Sequence, residues 1–117
     1  KVEKGGLSRD PDVEAKYNAD PLVHGLVTPR LFTEIRDAGE WAISNAGKLA
    51  VPTLLFHGEA DPITSCEGSA AFADAAPSDT LSFRPWPNLR HETHNEPEQG
   101  EVIDAMITFM NDKIAEA

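Results

Sequence analysis

The stretch that decides the fold is Val51-Pro-Thr-Leu-Leu-Phe-His-Gly58, which continues into Glu59-Ala60-Asp61. Its short apolar run, from Ala50 to His57, predicts a strand buried on both faces, as in parallel sheets covered by helices. In open α/β sheets, ligands bind in the crevice beyond the carboxyl ends of the strands. Asp61, which follows this strand directly, is therefore a candidate site residue.

Helix and strand signals alternate on both sides of this segment. Upstream, Asp10-Pro11 and Thr28-Pro29 place a capping residue before a proline, which predicts helices starting near residue 10 and over 29–46. Downstream, the capping-box spacing of Thr64 to Glu67 predicts a helix over 65–76, followed by a strand over 80–84. A cap pattern in Asn95-Glu-Pro-Glu98 predicts a last helix over 96–115. Its predicted apolar face comprises Val102, Ile103, Met106, Ile107, Met110 and Ile114.

The predicted fold class is α/β, because strands alternate with helices and right-handed crossovers would join them in parallel. The helix over 29–46 carries an apolar stripe at three- and four-residue spacing, formed by Leu31, Ile35, Ala38, Ala42 and Ala46. Two strands are too few for a sheet that buries both faces. We therefore expect further strands outside this sequence.

Composition excludes several classes of partner. The 117 residues contain ten Lys and Arg against twenty Asp and Glu, a net charge of −10 that repels phosphate backbones and anionic membranes. A neutral lipid remains compatible with that charge. No run is apolar enough for a transmembrane span, and no leader is recognisable. The chain begins at Lys1 rather than Met, which suggests a segment of a longer protein, and its single cysteine favours a reducing, cytoplasmic setting.

Two residues suggest acid–base chemistry. Asp61 and His91 each follow a predicted strand, so they emerge at the same edge of the sheet. There the carboxylate could orient the imidazole, whose second nitrogen would serve a nucleophile. The alternatives are an ordinary turn role for Asp61 in Ala60-Asp61-Pro62, and a bond between His91 and its neighbour Glu92.

The other reactive side chains point to no second site. His91 and His94 are three residues apart, which is not the metalloprotease spacing, and no cluster completes a metal site. We interpret His57 as structural and His24 as a loop residue. Cys66, near a predicted helix start, could have a lowered pKa, but a small, partly buried role fits it better. Trp41 and Trp86 are interpreted as packing residues, and none of the six serines lies in a G-x-S-x-G pattern.

Four segments in register resemble one protein family. They are Leu7-Ser-Arg-Asp-Pro11, Tyr17-Asn-Ala-Asp-Pro-Leu-Val23, Val51–Asp61 and His91-Glu-Thr-His-Asn-Glu-Pro-Glu98. The resemblance is to α/β-hydrolases of the lysophospholipase and monoacylglycerol lipase type, the serine aminopeptidase S33 or Hydrolase 4 group. It implies a C-terminal portion of the α/β-hydrolase fold, with its last two strands at 50–57 and 80–85.

The resemblance also implies a domain organisation and site roles. Residues 1–27 would be a remnant of the cap, or lid, and residues 28–117 the C-terminal part of the core. Asp61 matches the acid of a Ser-His-Asp triad and His91 its base, while the nucleophile elbow and oxyanion hole precede the lid in the family. Arg90 stands where Tyr or Phe is usual, and His94 where an apolar residue is usual. Both departures bear on substrate preference.

The resulting hypothesis is a segment of a serine ester hydrolase that cleaves monoacylglycerols, lysophospholipids or similar esters. Alone it would be inactive, because a complementary N-terminal half would carry the nucleophile. We expect no cofactor, no metal and no nucleic acid partner, and the lid leaves room for transient contact with a lipid surface. The alternatives are a segment of an S33-type peptidase or thioesterase, or a non-catalytic fragment that associates through its exposed strand edges with a complementary half or as an oligomer.

Overall fold

The computed structural model describes residues 5–116. Residues 1–4 of the predicted lid remnant (1–27) lie outside the described residues. Its helices are α1 (Pro11–Ala19), α2 (Pro29–Asn45), α3 (Cys66–Ala75) and α4 (Gln99–Ala115), and its strands are β1 (Thr53–Gly58) and β2 (Leu81–Trp86). Two 3-10 turns, Ala46–Lys48 and Thr93–Asn95, follow α2 and precede α4. None of these helices is both long and apolar enough to cross a bilayer.

The two strands pair in parallel and are joined by α3. Thr53 lies opposite Leu81 and Gly58 opposite Trp86, so both strands end at the same level of the sheet. The loops that carry Asp61 and His91 therefore leave the sheet at one edge, as the predicted parallel arrangement requires.

The helix starts confirm two predicted caps and correct two others. Asp10 caps α1 through Asp12 N–H, and the Thr28 hydroxyl accepts from Leu31 N–H at 3.1 Å. The cap of α3 is Ser65 rather than Thr64, because the Thr64 hydroxyl donates to Asp61 instead. The last helix begins at Gln99 rather than 96, and no side chain caps it. In the segment predicted to cap it, Asn95 instead ends the 3-10 turn and the side chain of Glu96 is buried.

The core lies where β2 and its following loop meet α4. Trp86, Leu89 and Val102 are buried together, with Phe56, Ala105 and Met106 packed against them. The Phe56 and Trp86 rings meet edge to face with centroids 5.8 Å apart, and the Arg84 guanidinium lies 4.1 Å above the Trp86 ring. Trp86 is thus a packing residue, as predicted. This cluster anchors the loop that leads to His91.

Several positions that the sequence pattern predicts as buried are exposed among the described residues. Strand β1 is half-buried apart from Gly58, because β2 is its one neighbour in the described sheet. Trp41 is 67% exposed, so its predicted packing role is not met here, and α2 has no buried residue. The predicted face of α4 divides: Val102 and Met106 pack on the core. The exposed members are Ile103, Ile107, Met110 and Ile114.

Candidate active site

Asp61 is held by the turn that follows β1. Its Oδ1 accepts hydrogen bonds from the backbone N–H groups of Ile63 and Thr64, at 2.7 and 3.2 Å. Its Oδ2 accepts from the Thr64 hydroxyl at 2.7 Å and from His91 Nδ1 at 2.9 Å. Asp61 is therefore a turn residue through one oxygen and a partner of His91 through the other. The turn contacts and the contact with His91 thus coexist, and the catalytic role of Asp61 stays a prediction.

The environment of Asp61 favours its ionised form. The side chain is only 2% exposed, and this burial raises its pKa. Hydrogen bonds from the Thr64 hydroxyl, His91 and the amides of Ile63 and Thr64 outweigh burial and lower the pKa to about 2. The carboxylate is consequently charged at neutral pH, as a group that orients an imidazole must be.

His91 presents one ring nitrogen to Asp61 and the other to its surroundings. A carboxylate can only accept, so Nδ1 carries the proton in the 2.9 Å bond. Nε2 makes no hydrogen bond within residues 5–116, and the side chain is 37% exposed. The alternative bond to Glu92 is not formed, and Glu92 accepts from the Asn95 side chain at 2.7 Å instead. The ring thus has its outer nitrogen available as a proton acceptor.

The loop that carries His91 crosses closely over the end of β1. Trp86-Pro-Asn-Leu89 forms a turn in which Asn88 has φ 65°, a conformation that asparagine tolerates. Ala60 N–H then donates to Leu89 O at 2.9 Å, joining the two loops. A Cβ at Gly58 would lie 2.2 Å from Arg90 O, so only glycine fits beneath this crossing.

Comparisons with known proteins place this chain in a family. The model of the family described as "Serine aminopeptidase, S33" (Hydrolase 4) matches residues 1–98. The chain belongs to this family. It is 33% identical over 110 residues, 93% of its length, to the monoacylglycerol lipase of Mycolicibacterium smegmatis, and spans 39% of that protein.

Solved structures agree with this assignment. The monoacylglycerol lipase of Paleococcus ferrophilus superposes with a TM-score of 0.82 at 32% identity, over 91% of this chain and 41% of that one. A soluble variant of the Saccharomyces cerevisiae monoglyceride lipase also gives 0.82, over 96% of this chain and 42% of that one. At 21% identity, the yeast structure supports the fold alone. The predicted family resemblance and the predicted fold class are confirmed: the chain has the fold of the C-terminal portion of an α/β-hydrolase of the monoacylglycerol lipase type. The chain spans about two-fifths of the length of these relatives.

His57 lies behind Asp61 in this family member. Its Nε2 is 3.2 Å from both Thr64 O and Asp61 Oδ2, with hydrogen-bond geometry toward the Thr64 carbonyl. Because a carbonyl only accepts, Nε2 carries the proton, and Nδ1 accepts from the Ser69 hydroxyl at 2.7 Å. His57 is thus structural, as interpreted from its sequence position, but its ring also contacts the carboxylate that orients His91.

The remaining candidates form no hydrogen bond with this pair among the described residues. Cys66 does not have the lowered pKa considered above: burial and the nearby carboxylates of Glu59, Glu67 and Asp61 raise its pKa. His24 and His94 are both exposed. Within the described part of the chain, no group of three His, Cys, Asp or Glu is arranged to hold a metal ion.

Glu96 could not be recognised from the sequence as a residue that supports the site. Its side chain is fully buried and binds both the segment before α1 and the loop before His91. The sequence contains the signal only indirectly, as a carboxylate beside proline that fails to cap a helix. Its partners Ser8 and Arg9 are 88 and 87 residues away, beyond the reach of local patterns.

Proposed function

We propose that this chain supplies the acid and base of a Ser-His-Asp triad in a carboxylic ester hydrolase acting on monoacylglycerols, lysophospholipids or similar esters. The single observation that carries the proposal is the 2.9 Å bond between His91 Nδ1 and the ionised Asp61, with His91 Nε2 left available. Membership of the S33 family and similarity to monoacylglycerol lipases support it.

Each residue has a defined part in the proposed reaction. A serine hydroxyl attacks the ester carbonyl while His91 Nε2 accepts its proton. His91 then donates that proton to the leaving alcohol, and the acyl-enzyme is hydrolysed by a water that His91 deprotonates in the same way. Asp61 keeps Nδ1 protonated and stabilises the imidazolium at each proton transfer. Its low pKa keeps it from taking up the proton itself.

The nucleophile in this proposal comes from a complementary N-terminal half. Within residues 5–116, no serine hydroxyl forms a hydrogen bond with His91, so the described serines offer no positioned nucleophile. Apolar side chains on α2 and α4 are exposed, which is the surface that a complementary segment would cover. A second copy of the chain could also cover this surface, but it would bring no G-x-S-x-G segment.

Two further assignments complete the proposal. Residues 1–27 form part of the lid, whose apolar side chains Leu22 and Leu26 are exposed and fit transient contact with a lipid surface. We place the protein in the cytoplasm, on the ground that its single cysteine favours a reducing setting.

The test is a chimera in which this chain replaces the matched region of the Mycolicibacterium smegmatis lipase. We expect the chimera to hydrolyse a 4-nitrophenyl ester and a monoacylglycerol, and to be labelled by a fluorophosphonate. The isolated chain should do neither. Substituting Asp61→Asn in the chimera should lower kcat by about 10⁴, because the imidazole would adopt the wrong tautomer.

His94→Gln is the matched control, since His94 is an exposed histidine three residues from the proposed base. It should leave fluorophosphonate labelling and turnover of the small 4-nitrophenyl ester intact, whereas His91→Gln should abolish both. A folded chimera that turns over equally well with His91→Gln would contradict the assignment. So would fluorophosphonate labelling of the homogeneous isolated chain.

The family description also favours a second candidate, an aminopeptidase. The Asp61–His91 pair would serve amide cleavage in the same roles. The active chimera would distinguish the candidates by its kcat/KM for an aminoacyl 4-nitroanilide against a monoacylglycerol, with an acyl thioester testing the thioesterase alternative. Preference for the nitroanilide would replace the ester proposal.

A further inference from the structure

Glu96 is a fully buried carboxylate that lies between two parts of the chain far apart in sequence. Its Oε2 accepts from Arg9 N–H at 2.9 Å and from Arg9 Nε at 3.2 Å. It also lies 3.2 Å from the Ser8 hydroxyl, whose single O–H it shares with Asn95 O at 2.9 Å. Its Oε1 accepts from Arg90 N–H at 2.5 Å. Both carboxylate oxygens are therefore engaged, each by a different segment.

These two segments also bind each other directly. His91 N–H donates to Gly6 O at 3.3 Å, and Glu92 N–H donates to Leu7 O at 2.8 Å. The three successive amides of residues 90–92 thus bind Glu96, Gly6 and Leu7 in turn. Because Ser8 and Arg9 follow directly on Leu7 and bind the other oxygen of Glu96, the carboxylate joins both ends of this contact.

The charge of Glu96 is compensated locally. Arg9 is the one cation in contact with it among the described residues, and three uncharged donors share the remaining acceptor positions. A buried carboxylate with this many donors is costly to leave unpaired. The arrangement therefore holds its geometry only while both segments remain docked.

We propose that Glu96 is a positioning residue for His91: its two oxygens fix the Ser8–Arg9 backbone and the Arg90 amide, and thereby aim the His91 ring at Asp61. Glu96 does not touch the reacting atoms in this account. Its action passes through the backbone of residues 90–92. The catalytic meaning of this positioning rests on the proposed function, whereas the ring geometry can be measured independently of it.

Glu96→Gln tests the proposal with almost no change in volume. A glutamine has one acceptor oxygen and one NH₂ group, which only donates. The NH₂ group must therefore point at the N–H or O–H donors of one of the two segments and cannot bind them. The oxygen satisfies more bonds when it faces the two Arg9 donors and the shared Ser8 hydroxyl than when it faces the single Arg90 amide. The amide that loses its acceptor is then Arg90 N–H, next to His91.

The readout is the tautomer of His91, measured in the 117-residue chain by long-range ¹⁵N–¹H NMR at a pH where the ring is neutral. In the wild type we expect Nδ1–H, bonded to Asp61. A hydrogen bond to a charged group typically favours the bonded form tenfold or more, so Glu96→Gln should reduce the Nδ1–H preference by about tenfold. The His57 ring should keep its Nε2–H signal, which shows that the end of β1 remains folded.

Glu98→Gln is the matched control. It removes the same charge two residues away and weakens a second contact to Arg9, but Glu98 makes no contact with Arg90. We expect the His91 tautomer to be unchanged in this variant. A merely structural loss through Arg9 would instead shift both variants alike, and that result would overturn the proposal.

Wild-type tautomer preference in folded Glu96→Gln would equally overturn it. If Glu96→Gln does not fold, Ser8→Ala takes its place, since it keeps the carboxylate and removes the hydroxyl that Glu96 shares with Asn95 O. There a smaller shift in the same direction is expected, and no shift refutes the positioning role. An inactive chimera accompanied by the tautomer shift would refute the proposed function and leave the positioning role intact.

Discussion

Substituting Gly58→Ala should displace the His91 loop and destabilise the fold. The added Cβ would lie 2.2 Å from Arg90 O and 2.3 Å from Leu89 O, whereas ordinary contacts begin near 3.4 Å. The loop must therefore retreat by about 1 Å. Stretching the 2.9 Å bond between His91 and Asp61 by that amount takes it beyond hydrogen-bond range.

The cost in free energy of unfolding follows from which atoms must move. Overpacking typically costs about 1–3 kcal/mol, and the upper end applies here because both obstructing atoms are backbone. With a urea slope of about 1.5 kcal/mol/M, a loss of about 3 kcal/mol lowers the midpoint by roughly 2 M. The assay is urea unfolding followed by far-UV circular dichroism, with the His91 tautomer recorded by NMR.

Gly39→Ala is the matched control, because Gly39 lies inside α2 with no neighbouring atom in the way. It should raise stability by about 0.5–1 kcal/mol through helix propensity alone. The two glycine-to-alanine changes should thus have opposite signs. A Gly58→Ala chain with wild-type stability and an intact Nδ1–H signal would refute the account of the crossing.

Two further predictions concern titration. The pKa of Asp61 is lowered from 3.8 to about 2, so its ionisation stabilises the fold above pH 3.8, and this stabilisation is lost as the pH falls toward 2. The contribution, about 2 kcal/mol, should be missing from the acid unfolding curve of Asp61→Asn. Identical curves for the two proteins would contradict the prediction. Because its pKa is raised, Cys66 should react with iodoacetamide at pH 7 more slowly than free cysteine, and a rate equal to or above that of free cysteine would contradict the burial argument.

The predictable part of the fold is the part encoded locally. Asp10-Pro11 and Thr28-Pro29 mark helix starts because the capping side chain and its target amide are two or three residues apart. The errors occur where a side chain has a better use in the fold. Thr64 was predicted to cap α3, but its hydroxyl serves Asp61, and Ser65 caps in its place.

The meeting of Asp61 with His91 was also predictable, because parallel strands that end at one edge bring their following loops together. The residues that hold the His91 loop in place were not predictable from the sequence. Gly58 matters because Leu89 and Arg90, far along the chain, cross it, and Glu96 because it meets Ser8 across 88 residues. Neither relation leaves a periodic or capping signal. The predicted burial of α2 failed for a related reason: an apolar stripe predicts that a face is covered, but does not say by what.

The Asp61–His91 pair is thus assembled by contacts inside the described residues. Asp61 is fixed by hydrogen bonds within its own turn. The His91 loop is hydrogen-bonded to Glu96, and it passes close to Gly58, where a side chain would clash with it. None of these contacts involves the exposed apolar side chains of α2 and α4. Substitutions at Gly58 and Glu96 should therefore act already in the isolated chain, whereas the proposed complementary half would add the nucleophile to a relay whose geometry is set without it.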